Sequence, residues 1–179
     1  MQRLVNINAI SKQGVPTKLQ EVLEKYADTV FKPGLGKLKD MTAKLTLRPE
    51  SVPKFHKARP MPYALRPKVE ATSEQMVREG NIEKVESSDW ATPIVPVMKP
   101  DGSVRICGDY KVTLNPCLQV LQHPIPRVEE CFYAVNGGKK FTKIDLAQAY
   151  NQIMLDEASK QLTTINTHCG LYRWCRLPF

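Results

Sequence analysis

Residues 93–110 read Pro93-Ile-Val-Pro-Val-Met-Lys99, then Pro100-Asp101-Gly102, then Ser103-Val-Arg-Ile-Cys-Gly-Asp-Tyr110. Two β-rich runs flank an Asp-Gly pair, which is a strong local signal for a β-hairpin. Because proline cannot donate to a strand ladder, Pro93 and Pro96 predict that the first arm is an edge or bulged strand. The hairpin is the best-defined element of the predicted fold.

Helices and strands are predicted on the N-terminal side of this hairpin. Apolar residues at helical spacing predict one helix over 17–30, and a second helix is predicted from Pro67 to Gly80, with Gly80 as its C-terminal cap. Apolar and polar residues alternate over 43–47, which indicates a strand. Residues 49–67 contain five prolines and are predicted to run extended, as a strap over a surface.

The rest of the chain mixes short helices and short strands in the same way. The patterns predict a strand over 81–86, a helix over 127–135, a strand over 140–145 and a turn or short helix over 146–152. A second hairpin is predicted around Cys169-Gly170, with arms at 162–167 and 171–177. The predicted fold class is therefore α+β, a mixed or antiparallel sheet with helices.

The composition is that of an ordinary globular protein. The chain has 179 residues, 42% of them hydrophobic and 25% charged, which excludes a wholly disordered chain. No run approaches the ~18 apolar residues of a membrane span, and residues 1–10 lack the pattern of a signal peptide. We therefore expect an intracellular protein, cytoplasmic or else nuclear, that is not secreted and has no membrane partner.

The net charge of +8 is unevenly distributed along the chain. Residues 1–68 carry 14 basic and 5 acidic side chains, residues 69–130 carry 6 and 10, and residues 131–179 carry 6 and 3. Basic ends are compatible with a polyanionic partner such as nucleic acid. Charge alone favours the simpler interpretation of a lysine-rich solvated surface.

The five cysteines give no clear disulfide or zinc pattern. Their number is odd and no pair has the C-x-x-C spacing, so they are expected to stay reduced inside a cell. His168, Cys169 and Cys175 provide three possible zinc ligands, one fewer than a structural site requires. The pattern favours free thiols over a zinc site.

Two pairs of adjacent carboxylates fall at the ends of predicted helices. They are Glu129-Glu130 and Asp156-Glu157. Near helix ends, acidic residues usually cap the helix or face solvent, which favours these roles over acid–base catalysis.

Asp145 is the acidic residue with the strongest claim to chemistry. It ends the predicted strand 140–145, and magnesium binds such oxygens together with waters and substrate phosphates. A lone aspartate at a strand end is more often a turn former or helix cap. The chain contains neither a Gly-x4-Gly-Lys-Ser/Thr loop nor a Gly-x-Ser-x-Gly elbow that would supply another site.

The surroundings of Asp145 resemble a known family. Residues 141–150, Phe-Thr-Lys-Ile-Asp-Leu-Ala-Gln-Ala-Tyr, look like the first catalytic motif of retroelement reverse transcriptases. Further matching segments, in the family's order and at about its spacing, lie at 57–65, 88–97, 99–110, 123–127, 170–174 and 176–179. The whole is similar to the polymerases of gypsy-type long-terminal-repeat retrotransposons, from about residue 17 onward.

This resemblance implies the fold of a right-hand polymerase, with fingers and an incomplete palm. Residues 1–16 would be a lead-in, and residues 17–66 an N-terminal helix, a strand and the proline-rich strap. Residues 67–135 would form the fingers with the hairpin 93–110. Residues 136–179 would be the first part of the palm, truncated.

The resemblance also implies roles for individual residues. Asp145 would be the catalytic, metal-binding aspartate of the palm, joined by the backbone carbonyl of Leu146, in a site that holds two magnesium ions in the complete enzyme. Arg105 would contact the incoming triphosphate, because its planar fork suits phosphate oxygens. Lys99, at the hairpin tip, is a weaker candidate for the same anion. Asp109 would be structural.

Further roles follow in and around the same motif. The backbone at Gln148 and Ala149 would bind the triphosphate, and Tyr150 would lie under the deoxyribose and crowd a 2′-hydroxyl; the alternative for Tyr150 is a core aromatic. Three lysines would meet template or primer phosphates, or else simply solvate a turn: Lys139, Lys140 and Lys143.

One feature of the family is missing. Polymerase chemistry uses two metals held by several carboxylates, and the family supplies the others from a Tyr-x-Asp-Asp motif downstream. After Asp145 this chain has only Asp156 and Glu157 as acidic residues. The resemblance therefore implies a fragment that lacks the rest of the palm, the thumb and ribonuclease H.

Three functions follow as alternatives. The first is a fragment of an RNA-directed DNA polymerase, inactive as an isolated chain, whose partners are an RNA or DNA template–primer, dNTP and the remainder of the polyprotein. The second is a non-catalytic nucleic-acid-binding fragment. The third is a functionless remnant of a transposable element.

Overall fold

The computed structural model describes residues 17–29, 34–120, 124–143 and 145–179. The chain divides into two compact units, residues 1–34 and residues 35–179. Within the first unit, helix α1 spans Thr17–Lys25. The predicted helix over 17–30 is therefore correct in position but too long. After Lys25 the backbone continues as turns, in which the N–H groups of Ala27 and Thr29 donate to the carbonyls three residues earlier. The lead-in 1–16 and Val30 lie outside the described residues.

The second unit contains all the described strands and the other three described α-helices. In chain order these elements are β1 (Thr42–Ala43), α2 (Arg66–Arg78), β2 (Ile82–Val85), β3 (Thr92–Met98), β4 (Val104–Gly108), α3 (Val128–Ala134), β5 (Met154–Leu155), α4 (Glu157–Leu162), β6 (Ile165–Thr167) and β7 (Gly170–Trp174). Short 3-10 turns lie at Tyr63–Leu65, Asn115–Cys117 and Ala149–Gln152. None of the helices within the described ranges is long and apolar enough to cross a bilayer.

A five-stranded mixed sheet forms the centre of this unit. Its strand order is β2-β7-β6-β3-β4, in which β3 and β6 run parallel and the other neighbours antiparallel. Strands β1 and β5 form a separate parallel pair. The mixed sheet with helices confirms the α+β prediction.

The predicted hairpin is present as β3 and β4. In its register Val97 lies opposite Arg105, and the backbone N–H of Lys99 donates to the carbonyl of Ser103 across the turn. Gly102 has a positive φ of 80° there, which favours glycine. The prediction that the first arm is an edge or bulged strand is wrong in both forms: Thr92 and Pro93 pair with β6 while β4 forms the edge of the sheet, and Ile94–Met98 pair one to one with β4 without a bulge. Beyond Pro93, β3 pairs with β4 alone, so Pro96 breaks no second ladder.

The core lies where α2 packs on the sheet. Val69 and Ser73 are buried on one face of this helix, and the Ser73 hydroxyl donates to the carbonyl of Val69 at 2.8 Å. The buried residues with which α2 shares the core come from six strands and the loops between them, among them Ile82, Trp90, Ile94, Val104, Ile106, Leu155, Ile165 and Trp174. The aliphatic side chains that the hairpin turns inward are therefore part of one continuous core.

The N-terminal strand and the proline-rich strap agree with their predictions only in part: the strand is paired at Thr42–Ala43, and the strap leaves the extended conformation at Tyr63, where a 3-10 turn leads into α2. Ala43, Leu45 and Leu47 are half-buried, whereas the residues between them are exposed, although only Thr42–Ala43 and a bridge from Leu47 to Leu118 are paired. Over residues 51–62 the strap contains no helix, and a bridge between Phe55 and Ala91 fixes it.

The predicted strand over 140–145 is wrong. Residues 140–143 and 145 form no strand, and Phe141 is 68% exposed. A strand needs a partner, and the two edges of the five-stranded sheet, β2 and β4, do not pair with this stretch. The first arm of the second hairpin is also shorter than predicted, because residues up to Leu162 form helix α4.

Candidate active site

Asp145 and Leu146 lie on an exposed stretch that leads into a turn. Both residues are exposed and neither belongs to a helix or strand. Within the described parts of the chain the Asp145 carboxylate has no recorded hydrogen bond or ion pair. Its oxygens are therefore available to solvent or to a ligand.

The turn after Asp145 has an unusual backbone conformation at Gln148. This residue has a φ of 47° and a ψ of 48°, the left-handed conformation, and it precedes a 3-10 helix over Ala149–Gln152. The side-chain amide of Asn151 donates to the Gln148 side-chain oxygen at 3.1 Å, and the Gln152 amide donates to the carbonyl of Ala147 at 2.8 Å. These two bonds hold the turn in a conformation that costs a non-glycine residue ~1–2 kcal/mol.

Arg176 connects the same turn to the N-terminal segment through hydrogen bonds. One guanidinium nitrogen, Nη1, donates to the carbonyl of Asn151 and to that of Gly36, each at 2.9 Å. The backbone N–H of Leu38 donates to the carbonyl of Gln152 at 2.8 Å. Sequence reasoning assigned no role to Arg176 or Asn151, although Arg176 stands in a segment, 176–179, that carries the family resemblance.

Tyr150 is on the surface of the turn and not in the core. Its side chain is 54% exposed, and its ring meets the ring of Phe179 edge-on with centroids 5.4 Å apart. Phe179 in turn lines an open pocket of about 350 Å³ together with Asp109 and Tyr110, at the base of the hairpin. The core alternative for Tyr150 is therefore not what the structure shows.

Arg105 and Lys99 are exposed on the hairpin. Along β4 the side chains of Val104 and Ile106 are buried, so Arg105 between them points to the opposite, solvent-facing side. Lys99 lies at the tip, next to Asp101, whose pKa is lowered mainly by hydrogen bonds from Ser103. Neither cation forms an ion pair with another described residue, so both can meet an anion.

The base of the hairpin is fixed by polar contacts. Asp109 forms an ion pair with Arg59 of the strap at 2.5 Å, in agreement with a structural role for Asp109. The Tyr110 hydroxyl donates to the carbonyl of Thr163 at 2.8 Å, and burial raises the pKa of this phenol well above its usual value. The first contact joins the hairpin base to the strap, and the second joins it to the segment between α4 and β6.

The predicted site residues form two separate groups in the described structure. Asp145 to Tyr150 are neighbours along one turn, whereas Arg105 lies on β4 opposite Val97 and Lys99 lies at the tip of the same hairpin. Across the described ranges, no hydrogen bond or ion pair joins one group to the other. The three lysines near the turn are all exposed: Lys139, Lys140 and Lys143.

The described residues do not complete a two-metal site around Asp145. This carboxylate belongs to no group of three or more potential metal ligands among the described residues. Elsewhere in the described part of the chain, three potential metal ligands do lie close together: Glu70, His168 and Cys169. Their nitrogen and sulfur atoms are unlike the all-oxygen set that magnesium prefers.

The chain is similar in sequence to transposon and retrovirus-related polyproteins. It is 35% identical to an uncharacterized Caenorhabditis elegans protein, K02A2.6, over 91% of the chain, and 29% identical to the retrovirus-related Pol polyprotein of the Drosophila melanogaster transposon 297, over 90% of the chain. It is 27% identical to the corresponding polyprotein of the Drosophila transposon opus, over 98% of the chain. The chain spans only 13%, 16% and 18% of the length of these relatives. No family model matches the chain.

Solved structures share the fold. The foamy viral protease-reverse transcriptase in complex with an RNA/DNA hybrid superposes with a TM-score of 0.72 at 19% identity, over 92% of this chain and 23% of that one. The native prototype foamy virus protease-reverse transcriptase gives a TM-score of 0.70 at 23% identity, over 90% of this chain and 22% of the other. The mixed sheet and helices described above are thus part of a retroviral polymerase-like fold.

Proposed function

We propose that this chain is part of the reverse transcriptase of a gypsy-type retrotransposon, and that it contributes one portion of an RNA-directed DNA polymerase. The observation that carries the proposal is that a match in sequence and a match in fold each cover about nine-tenths of the chain. One matches a Pol polyprotein by sequence, and the other matches a reverse transcriptase by fold. The hairpin over 93–110 then belongs to the fingers, and residues 136–179 belong to the palm.

The reaction proposed is nucleotidyl transfer from a dNTP to the 3′-hydroxyl of a primer. Magnesium, when bound in such an enzyme, stabilises charge on the attacking and leaving oxygens. Asp145 and the carbonyl of Leu146 are the proposed contribution of this chain to that metal site. Because the described donor set is incomplete, we expect no primer extension by the chain alone.

The nucleotide is proposed to lie between the two groups of site residues. Arg105, with Lys99 beside it, would bind the triphosphate by charge-assisted hydrogen bonds. The backbone at Gln148 and Ala149 would bind the same phosphates. Tyr150 would stand under the sugar; its exposed ring and its contact with Phe179 support this placement. A left-handed non-glycine residue such as Gln148 is often found where backbone strain serves a function.

Template–primer is the proposed macromolecular partner, and its binding is the experiment that tests the proposal on this chain. The net charge of +8 and the exposed lysines at 139, 140 and 143 favour phosphate contacts. We expect the anisotropy of a labelled template–primer to rise on addition of the chain. The logarithm of the affinity should fall linearly with the logarithm of salt concentration, by about 0.9 for each phosphate neutralised.

A charge-matched pair of variants locates the contact. The triple variant K139A/K140A/K143A should flatten the salt dependence, whereas K37A/K39A/K44A, which removes the same charge from other exposed positions, should change it less. Absence of binding at low salt would exclude both the polymerase proposal and the second candidate, a non-catalytic nucleic-acid-binding fragment. Extension by the isolated chain that D145N abolishes would disprove the expected inactivity.

The third candidate, a functionless remnant, makes a different prediction. It expects neither template–primer binding nor a cooperative unfolding transition. The continuous core that α2 forms with the sheet favours a cooperative transition instead. Thermal unfolding followed by circular dichroism distinguishes the two outcomes.

A further inference from the structure

Three potential metal ligands meet where helix α2 approaches the turn between β6 and β7. Glu70 lies on α2, and His168 and Cys169 occupy the turn. Nε2 of His168 is 3.1 Å from Oε1 of Glu70, and the thiol of Cys169 donates to the same oxygen at 3.7 Å. All three donor atoms lie within 4.8 Å of one another.

These distances agree with the geometry of a tetrahedral zinc site. Bonds of about 2.0–2.3 Å from zinc to nitrogen, oxygen and sulfur place pairs of tetrahedral ligand atoms about 3.3–3.8 Å apart. The two measured separations, 3.1 Å and 3.7 Å, lie within a few tenths of an ångström of that range. The third pair, Nε2 of His168 and Sγ of Cys169, lies within 4.8 Å, and binding of a cation would bring it into the same range.

We propose that Glu70, His168 and Cys169 bind a divalent transition-metal cation of the zinc class, with water as the fourth ligand. The combination of thiolate, imidazole and carboxylate selects zinc over magnesium, because magnesium prefers oxygen ligands alone. The site does not depend on the polymerase proposal, since it uses none of the residues assigned to nucleotide or template. Glu70 is 98 positions from His168, so the sequence alone does not bring them together.

Binding requires a simple exchange of protons. The Cys169 thiol loses its proton to solvent and binds as thiolate, and His168 binds through Nε2 in its neutral form with the proton on Nδ1. Burial and then Glu70 raise the pKa of the Cys169 thiol, and the charge of Lys84 opposes that rise only in part. A cation would offset the repulsion between the Glu70 carboxylate and the new thiolate.

The surroundings leave His168 available for this role. Its side chain is only 15% exposed, and Nδ1 is buried without a hydrogen-bond partner among the described residues. Glu70 is the one partner recorded for the ring within those residues. A metal at Nε2 would therefore replace a single contact and disrupt no hydrogen-bond network.

Cobalt(II) is the probe for the first test, because its thiolate complexes have a charge-transfer band in the near ultraviolet. The reduced 179-residue chain should develop this band on titration with Co²⁺, and added Zn²⁺ should abolish it by displacement. C169S should lose the band. C131S, which alters an exposed thiol on α3, should keep it.

The carboxylate and the imidazole are tested by affinity. E70Q and H168Q should weaken Zn²⁺ binding by at least about tenfold. E74Q, which changes another exposed carboxylate one turn further along α2, should leave the affinity unchanged. Zn²⁺ should also raise the unfolding temperature of the parent chain but not that of C169S, because the metal links α2 to the β6–β7 turn.

Three outcomes would overturn the proposal. They are the absence of saturable Co²⁺ or Zn²⁺ binding by the folded parent chain, a charge-transfer band that survives C169S, and equal loss of affinity in E74Q and E70Q. If C169S loses its folded far-ultraviolet spectrum as well as metal binding, the affinities of E70Q and H168Q decide whether the site exists. None of these results bears on template–primer binding.

Discussion

Gln148 shows how a single residue can combine strain with a functional position. Its left-handed backbone would suit glycine better, yet the side chain is needed as the acceptor of the Asn151 amide. This arrangement places the backbone N–H groups of Ala149 and Tyr150 at the start of a short 3-10 helix. Such strain persists only where neighbouring contacts fix it, which here are those of Asn151, Gln152 and Arg176.

Asp156 caps a helix, which is one of the two roles that its position at the end of a predicted helix favours. It is the N-cap of α4, and its carboxylate accepts the backbone N–H of Ser159 at 2.9 Å. These bonds from Ser159 lower the pKa of Asp156 in the folded state. Glu130 plays a comparable role at the start of α3, where it accepts from the backbone N–H of Arg127 at 3.0 Å.

The cap at Asp156 leads to a prediction about pH. A carboxyl whose pKa is lower in the folded chain stabilises the fold fully above its unfolded pKa of about 4 and loses this contribution as the pH falls through the folded value. D156A should therefore unfold at a lower temperature than the parent at pH 7, and this difference in unfolding temperature should become smaller toward pH 3. Thermal unfolding followed by circular dichroism at pH 7 and at pH 3 measures the difference.

D156N provides the matched control. Asparagine caps helices about as well as aspartate but carries no charge, so D156N should stay closer to the parent than D156A at pH 7 and lose less stability on acidification. Equal unfolding temperatures for D156A and the parent at pH 7 would contradict this account of the cap.

At the scale of elements, Arg176 joins three segments that are distant in the chain. Its guanidinium satisfies carbonyls of the turn at Asn151 and of the N-terminal segment at Gly36, while Met154 bridges to Arg176 through the backbone. The turn that carries Tyr150 therefore depends on the C-terminal segment for its position.

R176A should destabilise the chain by about 1–3 kcal/mol, because two carbonyls lose a charged donor. Hydrogen exchange of the amides at 150–153 should accelerate more than exchange in the hairpin β3–β4. R78A is the control. The Arg78 side chain is exposed, and its ion pair with Glu74 is long, at 3.8 Å, so removal of this side chain should cost less than about 0.5 kcal/mol. Unchanged exchange at 150–153 in a folded R176A would refute the role of Arg176.

The elements that sequence predicted best are those with local signals. The hairpin is encoded by alternating residues and by Asp101-Gly102, and α2 by Pro67 and Gly80, so neither required knowledge of distant partners. The stretch 140–145 has the composition of a strand but pairs with no described strand, and nothing in its own residues reveals that. Helix α4 has six residues, too few for a helical period to stand out.

Across the whole molecule, the sequence indicated the ancestry but not the spatial relations of the site. The motif 141–150 and the hairpin residues were chosen by resemblance, and their mutual placement with a nucleotide remains a prediction. The meeting of Glu70 with His168 and Cys169 was missed, because the sequence pattern directed attention to Cys175, which lies outside the described trio. A contact between residues 98 positions apart leaves no pattern in the sequence around either residue.

The central claim is that Asp145 belongs to the active site of a reverse transcriptase, and a chimera tests it most directly. This chain would replace the segment that it matches in the prototype foamy virus protease-reverse transcriptase, and RNA-templated primer extension would be measured. We predict an active chimera in which D145N lowers the extension rate by at least about 100-fold. D89N, which alters another exposed aspartate, should leave the rate unchanged. A D145N chimera that extends primers as fast as its parent, or a folded chimera that binds template–primer but makes no product, would contradict the claim.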